Sequence, residues 1–423
     1  MQRSPVWHPF TQHGLQDPIT NVERASGALL HTADGRTIID GISSWWVTTH
    51  GHCHPRITAA IASQAAQLDQ IIFAGHTHEP AERVAKQLRE IMPRELTHVF
   101  FSDSGSTSVE VALKMALGFW RNRGEARHRI IAMEHGYHGD TVGTMSVGHR
   151  GVFNQRYEPL LFEVARVPFP EPGQEQAVLD ALERHCRDPH TAAFIVEPLI
   201  CGAGGMRLYS AGVLHEMRRM CAEHCTLFIA DEVMTGWGRT GTLLACEQAD
   251  MVPDLLCLSK GLTGGSLPLA VTLATDRIFD AHWSLDRARM LFHSSSYTAN
   301  PIACAAASAN LDIWREEPVL QRVQALQRLA AGVLKCLEQL PNVLGARQLG
   351  TIIALEVRAP EEGYLSSVGP AMMRHFCSSD VLLRPLGSTL YLMPPYCIDQ
   401  KELDRLVAVA AEAIHVATSS QAA

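Results

Sequence analysis

Residues 226–233 read TLFIADEV, residues 254–260 DLLCLSK and residues 269–275 LAVTLAT. Each is a short apolar run, too brief for a helix and bounded by polar or small residues, which marks a buried strand. Upstream, AAFIVEP (192–198), RIIAME (129–134) and HVFFS (98–102) have the same character, with amphipathic helical patterns between them. Strands alternating with helices define an α/β domain with a largely parallel sheet, and uninterrupted apolar strands require cover on both faces. After Pro318 the pattern changes to a helix over roughly 319–339, a strand at TIIALEV (351–357), a helix near 370 and a terminal helix from about 399. Before the first strand, ALLHTADGRTIID (28–40) reads as a hairpin turning at Ala33-Asp34-Gly35. The expected division is an N-terminal segment over 1–44, a large domain over 45–318 and a C-terminal part over 319–423. The N-terminal segment is expected to pack on the C-terminal part as a smaller α/β unit.

The 423 residues are 46% hydrophobic and 19% charged, the balance of a globular enzyme. A net charge of -8 supplies no basic face for phosphates, which argues against a nucleic-acid partner. No run approaches the roughly 18 apolar residues of a membrane span, and the opening MQRSPVWHPFTQ lacks the apolar centre of a secretion signal. A cytoplasmic location without a membrane partner is expected. Eleven cysteines without framework spacing fit a reducing compartment. Cys221 and Cys225 lie four apart on a predicted helix with no second ligand pair at zinc-site spacing. The denser group His50, His52, Cys53 and His54 is broken by Gly51 and followed by Pro55, so it reads as a loop tied by ordinary hydrogen bonds, and no metal is expected. The only low-complexity segment is the polar tail TSSQAA (418–423).

Five lysines can be examined in turn. Lys86, Lys335 and Lys401 sit in charged or helical patterns that read as solvated faces, and Lys114 fits the polar side of a helix whose apolar side carries Val109, Ala112, Met115, Ala116 and Phe119. Lys260 is the one charged residue between Asp254 and Asp276, after an apolar strand and before GLTGGS. Such surroundings desolvate an ammonium and favour the neutral amine that covalent chemistry on a carbonyl needs. A lysine that snorkels to water from a sheet edge is the bland alternative, and the local sequence supports both equally.

FFSDSGSTSVEVALKMAL (100–117) passes from a strand through small residues into a helix, whose start is marked by the capping pattern Thr107-x-x-Glu110. Gly105 and the serines there make either an anion cradle or an ordinary capped helix. Asp231 and Glu232 stand at the carboxyl end of a buried strand, where open α/β sheets present ligand-binding groups, although such a pair can also cap a helix. An anion site, a strand-end carboxylate and a shielded lysine together are the three attachments that pyridoxal phosphate (PLP) requires.

FIADEVMTGWGRTG (228–241) followed by LSKGLTGGSLPLA (258–270) resembles the signature of the class III, fold type I, PLP-dependent aminotransferases, and the resemblance extends over essentially the whole chain. It implies that Lys260 carries the cofactor and is the catalytic base, that Asp231 meets the pyridine nitrogen, that Tyr137 stacks on the ring, and that Gly105 and Ser106 bind the phosphate. Glu197, in IVEPLICGAGGM (195–206), matches an acidic residue near the cofactor. Ser296, in FHSSSYTANP (292–301), matches a hydroxyl residue that reaches the phosphate of a neighbouring subunit, which implies a homodimer with shared active sites.

WHPFTQ (7–12), SWWVTTHGHCHP (44–55), DSGSTSVEVALKMAL (103–117) with GYHGDTVGTMSVG (136–148), and RPLGSTLYLMPPY (384–396) narrow the resemblance. They match the branch of the class that aminates 8-amino-7-oxononanoate to 7,8-diaminononanoate in biotin biosynthesis, with S-adenosylmethionine as donor. The match implies Arg384 for the substrate carboxylate, Trp45, Trp46 and Tyr391 as channel walls, and Asp140, Arg239 and Tyr137 on the substrate side. His138 and Glu232 are taken as structural. Phe10 stands where the branch often has tyrosine, Ser294-Ser295-Ser296 replaces a commoner Gly-Pro-Thr, and Cys201 stands where glutamine is frequent. These departures leave lysine open as an alternative donor, and another class III ω-amino acid aminotransferase is the remaining reading.

Overall fold

The computed structural model describes residues 4–361 and 363–419, so the last four residues of the polar tail and the first three of the opening segment lie outside it. Its largest sheet has seven strands in the spatial order Leu96–Ser102, Ala270–Thr275, Leu255–Leu258, Leu227–Asp231, Thr191–Val196, Arg129–Met133, Ala165–Val167. The pairings from Leu255–Leu258 through to Ala165–Val167 are parallel. Ala270–Thr275 runs antiparallel to both neighbours. Its connection, residues 259–269, holds only the 3-10 turn Lys260–Thr263, whereas a parallel crossover needs about a dozen residues or more, usually with a helix.

The apolar runs are continuous because both faces of this sheet are covered. In Leu227–Asp231, Phe228 and Ala230 enter one core cluster while Leu227 and Ile229 enter another. Leu256 and Leu258 separate from Leu255 and Cys257 in the same way. Side chains alternate across a strand, so this partition assigns the two clusters to opposite faces. Helix Gly105–Asn122 covers one face with Val109, Ala112, Ala116 and Phe119, and helix Ala211–Glu223 covers the other with Leu214, Met217 and Cys221. Each fully buried leucine- or phenylalanine-sized side chain contributes about 1.5–3 kcal/mol relative to exposure.

The chain ends form two further sheets. Val22–Ser26, Leu29–Thr32 and Thr37–Asp40 are antiparallel, and Val381–Leu382 adds to them in parallel with Thr37–Asp40. The second sheet is Val343–Leu349, Ile352–Val357 and Thr389–Leu392. The backbone of Gly41 bonds both Leu382 and Met393, stitching the ends of the chain together. The sequence VLGARQL of strand Val343–Leu349 lacks alternation and gives no strand signal; it is a half-buried edge strand of its sheet.

Helix Gly105–Asn122 starts earlier than the sequence pattern suggests. Ser104 is the N-cap and forms the capping box with Thr107, so Thr107 is the third helical residue rather than the cap. Glu110 therefore lies inside the helix, where its carboxylate accepts from Thr141 Oγ1 at 2.6 Å and Gly143 N at 2.8 Å. The histidine-rich loop is held by His50 Nε2 to Asn310 Oδ1 at 2.9 Å, by His52 Nε2 to Asp40 Oδ2 at 2.8 Å and by the backbone pairing of His52 with Gly27.

Candidate active site

Apart from Ser296, the predicted cofactor residues stand at or just past the carboxyl ends of strands of the large sheet. Gly105 and Ser106 follow Leu96–Ser102, Tyr137 and Asp140 follow Arg129–Met133, Glu197 follows Thr191–Val196, Asp231 ends its strand, and Lys260 lies just beyond Leu255–Leu258. An open α/β sheet presents its ligand groups along this edge. Tight glycine contacts lock the loops together. A Cβ on Gly105 would stand 2.6 Å from Val233 Cγ1, and one on Gly139, at φ +126°, would stand 2.0 Å from Ser106 Oγ.

Lys260 begins its 3-10 turn at φ 45°, a left-handed conformation that a non-glycine residue holds only when its surroundings impose it. Its Nζ lies 5.2 Å from the centroid of the Trp46 ring. Burial pushes the ammonium pKa down, while Asp231 and Glu197 pull it back up and Arg239 opposes them. Asp231 is buried, takes His138 Nδ1 at 2.7 Å on Oδ2 and the Val233 amide at 3.1 Å on Oδ1. Glu197 accepts the amides of Tyr137 at 2.8 Å and Gly202 at 3.0 Å, which fixes the backbone beneath the tyrosine ring. Burial raises its carboxyl pKa to about 7.

A cavity of about 340 Å³ opens on Lys260 and is lined by Trp45, Trp46, Tyr137, Asp140, Arg384 and Tyr391 among others. Trp46 is buried and donates from Nε1 to Tyr391 Oη at 2.9 Å, whereas Trp45 is 42% exposed. Arg384 stacks on Trp45, with 5.3 Å from its guanidinium carbon to the ring centroid, and donates to the Phe10 carbonyl at 3.2 Å. A larger chamber of about 810 Å³ shares Tyr137, Asp140, Phe153 and Tyr364 with the first. An apolar depression of about 530 Å³ beside Phe279 and Trp283 contains none of these residues.

Of the predicted residues, Gly105, Ser106, Glu197, Asp231, Arg239 and Ser296 are not among those that line this cavity. Arg239 is 1% exposed and donates to the carbonyls of Thr48 at 2.8 Å and Pro394 at 3.2 Å, bracing the segments that carry Trp46 and Tyr391 from behind. Ser296 is exposed, and its carbonyl accepts from Gln70 Nε2 at 2.5 Å. Sequence reasoning missed others. His138, read as structural, orients the Asp231 carboxylate, and its place next to Tyr137 was the available signal. Asp40 accepts the amides of Ile42 at 3.1 Å and Ser44 at 2.6 Å and thereby holds the positive-φ turn at Ser43, Ser44 and Trp46. Phe153 joins Phe10, Tyr137 and Tyr364 in one aromatic cluster, with centroids 4.7–6.1 Å apart. Nothing local in the sequence marks either Asp40 or Phe153.

These residues fit PLP on the structure's own terms. Lys260 offers an amine in a desolvated setting, Asp231 offers a carboxylate oriented from behind, and the Gly105 and Ser106 amides open a capped helix without an intrachain backbone partner among the described residues. Residues 10–414 match the family model described as aminotransferase class-III, and the chain belongs to that family of PLP-dependent aminotransferases. It is 47% identical over 416 residues to the adenosylmethionine-8-amino-7-oxononanoate aminotransferase of Synechococcus elongatus, covering 96% of this chain and 97% of that one. The crystal structure of the enzyme of the same name from Methanocaldococcus jannaschii superposes with a TM-score of 0.93 at 34% identity, covering 97% of each chain. A PLP-bound amine transaminase from an uncultivated Pseudomonas species superposes at 0.87 with 31% identity over 99% of each chain.

Proposed function

We propose that this chain transfers an amino group from S-adenosylmethionine to 8-amino-7-oxononanoate, giving 7,8-diaminononanoate in biotin biosynthesis. The observation that carries this reading is one cavity that holds Lys260, aromatic walls and the braced guanidinium of Arg384 together. The names of the relatives from Synechococcus elongatus and Methanocaldococcus jannaschii support it.

PLP supplies an electron sink that labilises a bond at the amine-bearing carbon of the substrate. Lys260 would hold it covalently, Gly105 and Ser106 would take its phosphate, Tyr137 would stack on its ring and Asp231 would face its nitrogen. Glu197 sets the Tyr137 backbone, and His138 keeps the Asp231 carboxylate turned inward. Once the donor amine had displaced it from the cofactor, Lys260 Nζ, lowered in pKa by burial, would accept the proton from the donor's α-carbon and deliver it to the cofactor carbon that the lysine had held. Arg384 presents a planar fork suited to a carboxylate through two parallel hydrogen bonds. Trp45, Trp46 and Tyr391 bound an aliphatic chain or an adenine ring, Asp140 faces the substrate, and Arg239 acts on it through the wall that it braces. We further propose that Ser296, exposed and outside its own chain's cavity, serves the phosphate of a second copy in a homodimer with shared sites, and that the enzyme works in the cytoplasm.

The PLP-loaded enzyme, mixed with one amine at a time and no acceptor, should lose its visible cofactor band with S-adenosylmethionine. Loss with lysine and not with S-adenosylmethionine makes lysine the donor. Loss with β-alanine or γ-aminobutyrate alone replaces the reading with that of an ω-amino acid aminotransferase.

A further inference from the structure

We propose that Asn310 is the positioning residue of Lys260: its side-chain amide, anchored by His50, holds the turn that aims the lysine amine into the cavity. Asn310 Nδ2 donates to the carbonyls of Gly261 and Leu262, both at 3.0 Å, the two residues that follow Lys260. Its Oδ1 accepts from His50 Nε2 at 2.9 Å. Asparagine is a poor helix former, yet this one is fully buried in the middle of helix Pro301–Glu316 among alanines. A buried amide costs stability unless it is bonded, and an apolar residue would fill the place without that cost. Here the donor end serves the lysine turn and the acceptor end serves the histidine.

The turn has little other freedom. A Cβ on Gly261 would stand 2.8 Å from the Trp237 side chain, and one on Gly264 2.6 Å from Ile57 Cδ1. The direction in which Lys260 leaves its left-handed backbone is therefore set where Asn310 grips the carbonyls. Burial lowers the His50 pKa to about 4, so the ring stays neutral and its Nε2–H points the amide in one sense. Its ring faces Trp314 at 5.7 Å and His54 at 6.0 Å. The groups that act on the lysine charge are Asp231, Glu197 and Arg239, with Trp46 beside Nζ, and none of them bonds Asn310. A change in the lysine's titration on altering Asn310 thus reports geometry.

The proposal rests on Lys260 being the cofactor's lysine, so Lys260→Ala is run alongside. Asn310→Ala should weaken PLP retention in equilibrium dialysis by about tenfold. It should move the pH midpoint of the bound-cofactor band by about half a unit or more, and lower kcat more than it raises KM. His50→Phe, which removes only the donor that orients the amide, should act in the same direction but less, and it decides the matter if Asn310→Ala does not fold. Variants that lower Tm while PLP affinity, midpoint and kcat stay at wild-type values would overturn the proposal. A Lys260→Ala protein that kept the band would instead overturn the lysine assignment.

Discussion

The two ends of the cavity are built from different parts of the chain. At the lysine end, Asp231 and Glu197 are buried, each with both oxygens engaged, and both stand on strand ends of the central sheet. At the arginine end, Phe10 is 47% exposed and Trp45 42%, and Arg384 is held by one carbonyl and one ring. Those residues come from segments near the two chain ends. The contrast separates two tasks. On the proposed function, bond-making chemistry, which tolerates little displacement, falls to a sheet covered on both faces, while substrate choice falls to peripheral segments whose few contacts can be altered without disturbing the sheet.

Substitutions can break that division. Lys260→Ala should reduce turnover by at least about a thousandfold and abolish the visible band of bound PLP, with acceptor KM immaterial. A band that survived would remove the lysine end from the chemistry altogether. Arg384→Ala should raise KM for the keto acid by about ten- to a hundredfold and leave the donor half-reaction nearly intact. Equal loss in both halves would mean that the arginine end is not a carboxylate clamp.

The smallest effect concerns Glu197. Its carboxyl pKa is raised by burial from 4.5 to about 7 in the folded chain, so the native state binds more protons than the unfolded state between those values. Stability is then lost as pH rises through that window, and the cost is fully present above it. Relative to Glu197→Gln, the wild-type apoenzyme should lose about a few degrees of Tm between pH 5 and pH 8. A difference that stays constant with pH would show that the lysine end carries no such titration.

Much of the lysine end was legible because strands and turns announce themselves locally. The strand Leu255–Leu258, which ends just before Lys260, is apolar throughout, and the lysine's isolation from other charges follows from the same burial. The antiparallel turn of Ala270–Thr275 was not legible, because apolar periodicity carries no direction; only the short connection decides it. Glu110 was misplaced for a related reason. Both Ser104 and Thr107 can cap, and the choice depended on where the chain leaves the sheet. His138 looked structural because an isolated histidine usually is, and its bond to Asp231 joins residues 93 apart in the chain.

The amino-acid sequence by itself determined the strand-helix alternation, the lysine that its neighbours cannot solvate and the motifs that resemble class III aminotransferases, since each depends on residues close together in the chain. Tertiary structure alone decided that Asp40 would hold the strained turn at Trp46, that Arg239 would brace the cavity from behind rather than line it, and that Asn310 would grip the turn after Lys260. The physical reason is the same in each case. A buried polar group must find a partner, and the partner is whichever unsatisfied amide or carbonyl the packed elements bring within about 3 Å, however distant it lies in sequence.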